Sequence, residues 1–313
     1  MTPDARWILA RRGPRNLLDP RRAYAASVED ELTEEGAVAP VATIFLTNRE
    51  CPWTCLMCDL WQNTLQETVA PGAIPEQIRQ ALASLPPARR IKLYNAGSFF
   101  DPKAVPPEDH AAIVELTAPF ERVVVESHPA LVGEACFELS RRLGGGRLEV
   151  AMGLETAHPE VLARLNKGMT VEDFGRAARA LVARGIAVRA FVLVGLPYLS
   201  PAESRAWCRR SVAFAFDAGV RVVALIPTRT GNGALDALAE AGAFAPPTLS
   251  LLEACLSDAL RLDRGQAFAD LWDLPRLAGC RSCFPGRADR LVRMNLGQAI
   301  APPISCSSCG GSA

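Results

Sequence analysis

Lysine, histidine and tyrosine are scarce in this chain of 313 residues, occurring three times each. The lysines are Lys92, Lys103 and Lys167, so basic charge is carried almost wholly by arginine, a bias that genomic base composition explains. Net charge is also absent, with 34 basic residues against 34 acidic ones. That balance argues against a surface built wholesale for nucleic acid, while leaving a local patch open. No apolar run approaches membrane-spanning length, so no membrane partner is expected. The first twenty residues are rich in arginine but have no apolar segment of the kind a signal peptide requires. The expected location is cytoplasmic.

Apolar residues are plentiful, at 49% of the chain, enough for a large core without disulfides. Of ten cysteines, seven fall in close groups, which favours metal binding in a reducing compartment. Cys51, Cys55 and Cys58 follow the apolar run 41–47. Thiolates so close in sequence converge on one centre, a metal ion or an iron–sulfur cluster. A structural zinc site is closed by four ligands. A cubane held by three cysteines leaves one iron open. The second group is Cys280, Cys283, Cys306 and Cys309, two CxxC pairs with 22 residues between them. Four thiolates at this spacing read first as structural zinc, and alternatively as an auxiliary iron–sulfur cluster. Cys136, Cys208 and Cys255 lie on helical faces and read as small buried hydrophobes.

From residue 41 the pattern alternates between strand and helix. Strands are expected over 41–47, 91–95, 122–127, 148–154, 188–194 and 221–226, each short and apolar as buried parallel strands are. Helices are expected over 75–85, 107–116, 133–143, 171–184 and 201–218, and again over 249–262 and 287–298, with an extra strand near 268–273. The fold class is α/β: a partial (βα)6 TIM-like barrel over 41–245, preceded by an arm over 1–40 and followed by a Cys-rich metal-binding appendage over 246–313. The arm carries six arginines and reads as a solvated wrap, with phosphate contact as the sharper alternative.

Such a barrel places reactive groups on the loops after its strands. Glu126, a carboxylate within an apolar strand, is a catalytic candidate because a buried charge needs partners. His128, beside a proline, reads first as a turn residue. Arg189 within another apolar strand suggests a cavity-facing charge. Arg229, Thr230 and Asn232 would line the mouth on the substrate side, with Arg229 a second catalytic candidate.

The CxxxCxxC loop after a first strand resembles the radical S-adenosylmethionine (SAM) superfamily. Met57 stands where the family usually has an aromatic residue, and its thioether can pack over a cluster. The resemblance implies a [4Fe-4S] cluster whose open iron binds SAM. Reduction by a flavodoxin- or ferredoxin-type donor would then yield a 5′-deoxyadenosyl radical that abstracts hydrogen from a substrate. It further implies that Asn95, Gly97 and Ser98 stand in place of the family's Gly-Gly-Glu motif, here without its glutamate. Glu155 would meet the SAM ribose, and Gly195 and Pro227 the adenine; Lys167 or Arg164 could bind the SAM carboxylate by charge-assisted hydrogen bonding, with Arg189 as a further carboxylate partner. The motifs Gly153-Leu-Glu-Thr156 and Leu165-Asn-Lys-Gly-Met-Thr170 look like the branch containing the Elongator catalytic subunit and the radical SAM subunit of archaeosine synthase, which points to a tRNA substrate. A small metabolite or peptide substrate is the alternative, and a zinc-bound interaction protein is the alternative of another class.

Overall fold

The computed structural model describes residues 3–309. Its eight strands are β1 (Ala25–Leu32), β2 (Val38–Leu46), β3 (Arg90–Asn95), β4 (Arg122–Glu126), β5 (Leu148–Glu155), β6 (Ala187–Val194), β7 (Val222–Pro227) and β8 (Gln266–Ala269). They form one sheet in chain order. Strands β2 to β8 pair in parallel, and β1 runs antiparallel to β2. The helices are α1 (Ala5–Leu9), α2 (Ala73–Ser84), α3 (His110–Leu116), α4 (Glu134–Arg142), α5 (Pro159–Arg164), α6 (Val171–Val182), α7 (Pro201–Asp217), α8 (Ala234–Glu240), α9 (Leu249–Leu260) and α10 (Phe284–Gly297). Helices α6 and α7 each begin with a capping box, Thr170 with Asp173 and Ser200 with Glu203, which satisfies two first-turn backbone donors reciprocally. No helix among the described residues is long and apolar enough to cross a membrane.

The six expected strands are present. β1 was expected as part of a solvated arm, and it escapes the periodicity argument because AASVEDEL is a charged edge strand with no continuous buried face. β8 lies two residues before the expected extra strand. Alternating side chains divide the sheet into two faces. Ile91, Leu93, Val123, Val125, Val150, Met152, Val188 and Val192 are buried under the helices. The opposite face carries Lys92, Tyr94, Glu126, Glu149, Arg189 and Phe191 into the barrel.

The arm does not stand in solvent. A Cβ at Gly233 would meet the Arg11 carbonyl at 1.8 Å, so the arm crosses the loop after β7. Arg12 and Arg15 both pair with Glu50, Arg21 pairs with Glu76, and the Arg11 guanidinium lies 3.6 Å from the centre of the Trp7 ring. Four of the six arm arginines are therefore engaged within the protein, three of them in ion pairs, which weakens the phosphate reading.

At the N-terminal ends of the parallel strands, Arg189 donates to Glu149 at 2.7 Å and to Glu31 at 2.6 Å, and Lys92 also pairs with Glu31. Burial opposes ionisation of Glu31, but Arg189 and Lys92 outweigh it and hold its carboxyl far below the usual range. Arg189→Met would leave Glu149, 1% exposed, without its cation. The expected loss is about 3–5 kcal/mol of folding stability, measured by denaturant unfolding, because breaking one side of a buried pair leaves an uncompensated charge.

Candidate active site

The C-terminal ends of the parallel strands share one side of the sheet, and the loop carrying Cys51, Cys55 and Cys58 follows β2 there. Its conformation is set by neighbouring loops. The Leu56 amide donates to the Leu165 carbonyl at 2.9 Å, and Asn166 Nδ2 donates to the carbonyl and hydroxyl of Thr54 at 2.8 Å each. Asn232 Nδ2 donates to the Leu56 carbonyl at 2.8 Å. The Trp53 ring stacks on His128, with centroids 3.7 Å apart and planes 12° off parallel. On Trp53 also sits Gly168, at φ +72°, where a Cβ would meet the ring at 2.9 Å. His128 Nδ1 accepts from the Ala130 amide, so Nε2 carries the hydrogen and donates to the Lys167 carbonyl at 3.1 Å. Burial, then the Lys167 charge, pushes His128 down to about 4, so the ring is neutral. His128 acts as the shelf beneath Trp53.

Burial raises all three loop thiols, Cys55 to about 11 and Cys58 well above the usual value. Thiols in such surroundings become thiolates when a metal centre supplies the compensating charge. Among the described residues, the only group of three or more His, Cys, Asp or Glu ligand atoms lying within 4.8 Å of one another is Cys280, Cys283, Cys306 and Cys309. A Cβ at Gly97, φ +153°, would meet that of Cys51 at 2.8 Å, so only glycine lets the turn after β3 lie against this loop. Beside it Asn95 is 1% exposed, and neither Nδ2 nor Oδ1 has a protein partner. A buried amide left open in this way is a group for a ligand to satisfy. The donor set and its surroundings fit a cluster with SAM.

Glu155 and Lys167 meet in the same place. Lys167 Nζ donates to Glu155 Oε1 at 2.6 Å, and a Cβ at Gly153 would lie 2.1 Å from that oxygen, so the pair occupies space a side chain would fill. Burial alone would lower Lys167, but Glu155 and Cys55 outweigh it and raise its pKa. Glu126, at the end of β4, accepts from the Asn95 amide at 2.9 Å, and burial pushes it up to about 8. At neutral pH it is a protonated acid able to donate one hydrogen bond.

The remaining sequence candidates are placed differently. Arg189 is not brought to the mouth: it lies five residues before the end of β6, and both its carboxylate partners are protein groups. It belongs to the opposite end of the barrel and is withdrawn from the SAM-binding set. Arg229 reaches the rim, but pairs with Asp270 and donates to the Trp272 carbonyl at 2.7 Å, so its charge holds a loop. Ser98 Oγ lies 3.1 Å from Ser127 Oγ. Gly195 donates its amide to Ser204 Oγ at 2.8 Å, and a Cβ on it would meet Pro247 at 2.6 Å. Pro227 is the buried last residue of β7.

Sequence reasoning missed an aromatic cluster. Phe45 contacts Tyr24, Tyr94 and Trp272 at centroid distances of 5.6, 6.1 and 5.5 Å, and Tyr94 contacts Phe191 at 6.0 Å. Tyr24, Phe45, Tyr94 and Phe191 are half-buried rather than sealed in the core, and Trp272 is exposed. Phe45, Tyr94 and Phe191 sit at alternate strand positions whose period was legible. Tyr24 and Trp272 lie outside strands and carry no sequence signal.

Residues 45–209, just over half of the chain, match the family model of the radical SAM superfamily. The chain belongs to that superfamily and is a radical SAM enzyme, a class that works with a [4Fe-4S] cluster and SAM. It is 31% identical over 154 residues to archaeosine synthase subunit beta of Thermococcus kodakarensis, covering 47% of this chain and 48% of that one. It is 28% identical over 250 residues to archaeosine synthase subunit beta of Methanosarcina acetivorans, covering 75% and 71%. An uncharacterised Methanocaldococcus jannaschii protein is 23% identical over 204 residues, covering 61% of this chain and 56% of its own length. The chain thus spans about half the length of two of these relatives. Among solved structures, Elp3 of Methanocaldococcus infernus superposes with a TM-score of 0.54 at 15% identity, covering 82% of this chain and 64% of that one. Streptococcus suis SuiB bound to S-adenosylmethionine gives 0.53 at 12% identity, covering 76% and 51%. Both likenesses concern the fold.

Two outcomes follow from the geometry. Gly168→Ala should displace Trp53 and lower the iron content of the anaerobically reconstituted protein, read by metal analysis and electron paramagnetic resonance. Glu126 has an ordinary value of 4.5 and a folded value of about 8, so the folded chain retains a proton that the unfolded chain releases. Its contribution is fully present below 4.5 and is lost as pH rises through 8. Glu126→Gln should therefore gain in Tm over the parent on going from acid to alkaline pH, and calorimetry showing a pH-independent difference would contradict the assignment.

Proposed function

We propose that this enzyme abstracts hydrogen from a nucleoside of tRNA. The observation that carries the reading is the aromatic cluster on the inward face of the sheet, whose Phe45 and Tyr94 stand one residue from the ends of the strands that the three-cysteine loop and the Gly97 turn follow. Flat rings suit aromatic walls, and single bases extruded from RNA are held by stacking on Tyr, Phe and Trp. The archaeosine synthase names of two relatives support the same substrate class. When bound, the cluster and SAM supply a 5′-deoxyadenosyl radical, with an electron from a flavodoxin- or ferredoxin-type donor.

The chain's own residues do the rest. Phe45, Tyr94 and Phe191 would form the seat for a base, with Tyr24 and Trp272 at its entrance. The protonated Glu126 would donate to an acceptor on the base edge. Lys167, its charge balanced by Glu155, would receive the carboxylate of SAM, and the open amide of Asn95 would meet the same ligand. Trp53, seated on His128, would keep the loop in register while a large substrate enters. With balanced charge overall, recognition would rest on the base more than on phosphates, so tRNA affinity should fall only shallowly with salt.

The test is anaerobic incubation with reductant, SAM and bulk tRNA, followed by mass spectrometry of digested nucleosides. A tRNA-dependent mass change in one nucleoside, with 5′-deoxyadenosine formed, is expected. Deoxyadenosine without any changed nucleoside would point instead to a small metabolite or peptide. Cys55→Ala should abolish both the cluster signal and deoxyadenosine, and persistence of SAM cleavage in that variant would overturn the catalytic assignment itself.

A further inference from the structure

We propose that Cys280, Cys283, Cys306 and Cys309 bind one zinc ion in a tetrahedral tetrathiolate site, and that this ion fastens α10 into the open seam of the barrel. The spacing of the sulfurs distinguishes one ion from a cluster. A tetrahedron with Zn–S bonds of about 2.3 Å has sulfur–sulfur edges of about 3.8 Å. Cys280 Sγ and Cys306 Sγ are 3.9 Å apart, and all four sulfurs lie within 4.8 Å of one another. A cubane would need one cysteine on each of four irons and hence a wider set. Four protein thiolates also close the coordination sphere, which is the mark of a structural zinc site.

The chain is folded to bring these residues together. Cys280 and Cys283 lie at the start of α10, with Cys283 as its N-cap. After α10 the chain turns back: Arg290 donates to the Ala301 carbonyl at 3.0 Å, and a Cβ at Gly286 would lie 3.6 Å from Ile304. Cys306 is thereby returned to the side of Cys280. Arg287 and Arg290 reach from α10 to Glu253 of α9, at 3.1 and 3.2 Å. Glu253 is 2% exposed, so the helix is anchored on a buried carboxylate.

The far half of α10 does what a ninth strand would otherwise do. Strand β8 is an edge, and edge backbone groups invite pairing. Asn295 accepts from the Ala269 amide at 2.8 Å and donates to the Ala269 carbonyl at 2.9 Å. Gln298 accepts from the Ala267 amide at 2.8 Å and donates to the Ala267 carbonyl at 3.0 Å. Two side-chain amides, nearly one helical turn apart, thus imitate the alternate hydrogen bonds of a neighbouring strand. The helix also packs on β1, across the seam.

The test uses the full chain with its loop cluster reconstituted. Metal and sulfide analysis should give one zinc and about four irons with about four sulfides per chain. X-ray absorption at the zinc edge should show a single sulfur shell at about 2.3 Å. Cys306→Ser should lose the zinc, keep the resonance signal of the loop cluster, and increase hydrogen exchange at the Ala267 and Ala269 amides by tenfold or more. Asn295→Ala should keep the zinc and lose protection at Ala269 alone, which separates the clasp from the ion. About eight irons and eight sulfides, or a single iron in place of zinc, would overturn the metal assignment. Zinc loss with unchanged exchange at both amides would overturn the fastening role. The absorption spectrum of the parent decides the metal even if the cysteine variant does not fold.

Discussion

The site depends on one backbone hydrogen bond and its neighbours: the Leu56 amide on the Leu165 carbonyl, flanked by Asn166 on Thr54 and by Trp53 on His128. A cluster held by three cysteines cannot fix its own loop as firmly as one held by four. The missing restraint has to come from the protein. It comes from the loop after α5, which also carries Lys167, so the cation and the thiols are positioned by the same contacts. Gly168 is part of this arrangement because its left-handed backbone carries the chain past Trp53 where a side chain would collide.

The barrel separates two kinds of buried charge along its axis. Near the N-terminal strand ends, Glu31, Lys92, Glu149 and Arg189 satisfy one another, and nothing there is left for a ligand. At the other end, the Asn95 side-chain amide has no protein partner and burial keeps a proton on Glu126. At roughly 3.3 Å per residue, the five residues from Arg189 to Val194 place the Arg189 backbone about 16 Å below the strand end. A cation in an apolar strand is thus a structural or a functional group according to how far along the strand it falls.

That distinction marks what was legible in the sequence. The parallel strands were readable because their faces are both buried, which leaves apolar runs such as VRAFVLV with only the arginine out of character. The cysteine groups were readable because ligand spacing is local. Strand β1 was hidden because an edge strand with charged residues has no periodic burial to display, and its one inward glutamate, Glu31, acquires meaning only from Arg189, 158 residues away. The aromatic cluster was hidden for the same reason: Tyr24 and Trp272 reach Phe45 from opposite ends of the chain. Arg229 stands near the rim, as strand order implied, but its partner Asp270 lay in a stretch expected as an extra strand, whereas β8 ends at Ala269 and Asp270 follows it.

The two cysteine groups answer opposite requirements with the same side chain. The loop group needs an incomplete set on a segment fixed by other contacts, because its remaining coordination site has chemical work to do. The terminal group is complete and tight, and its segment is long and weakly attached until the helix between the CxxC pairs is seated on Glu253 and the edge of β8. An eight-stranded sheet with two free edges cannot close on itself by backbone pairing when β8 offers only four residues and β1 runs antiparallel to its neighbour. Side-chain amides from a helix can bridge such a seam without demanding strand register. The barrel wall is thereby completed by an element that lies outside the strand–helix repeat, while Trp272, just past the end of β8, stands exposed.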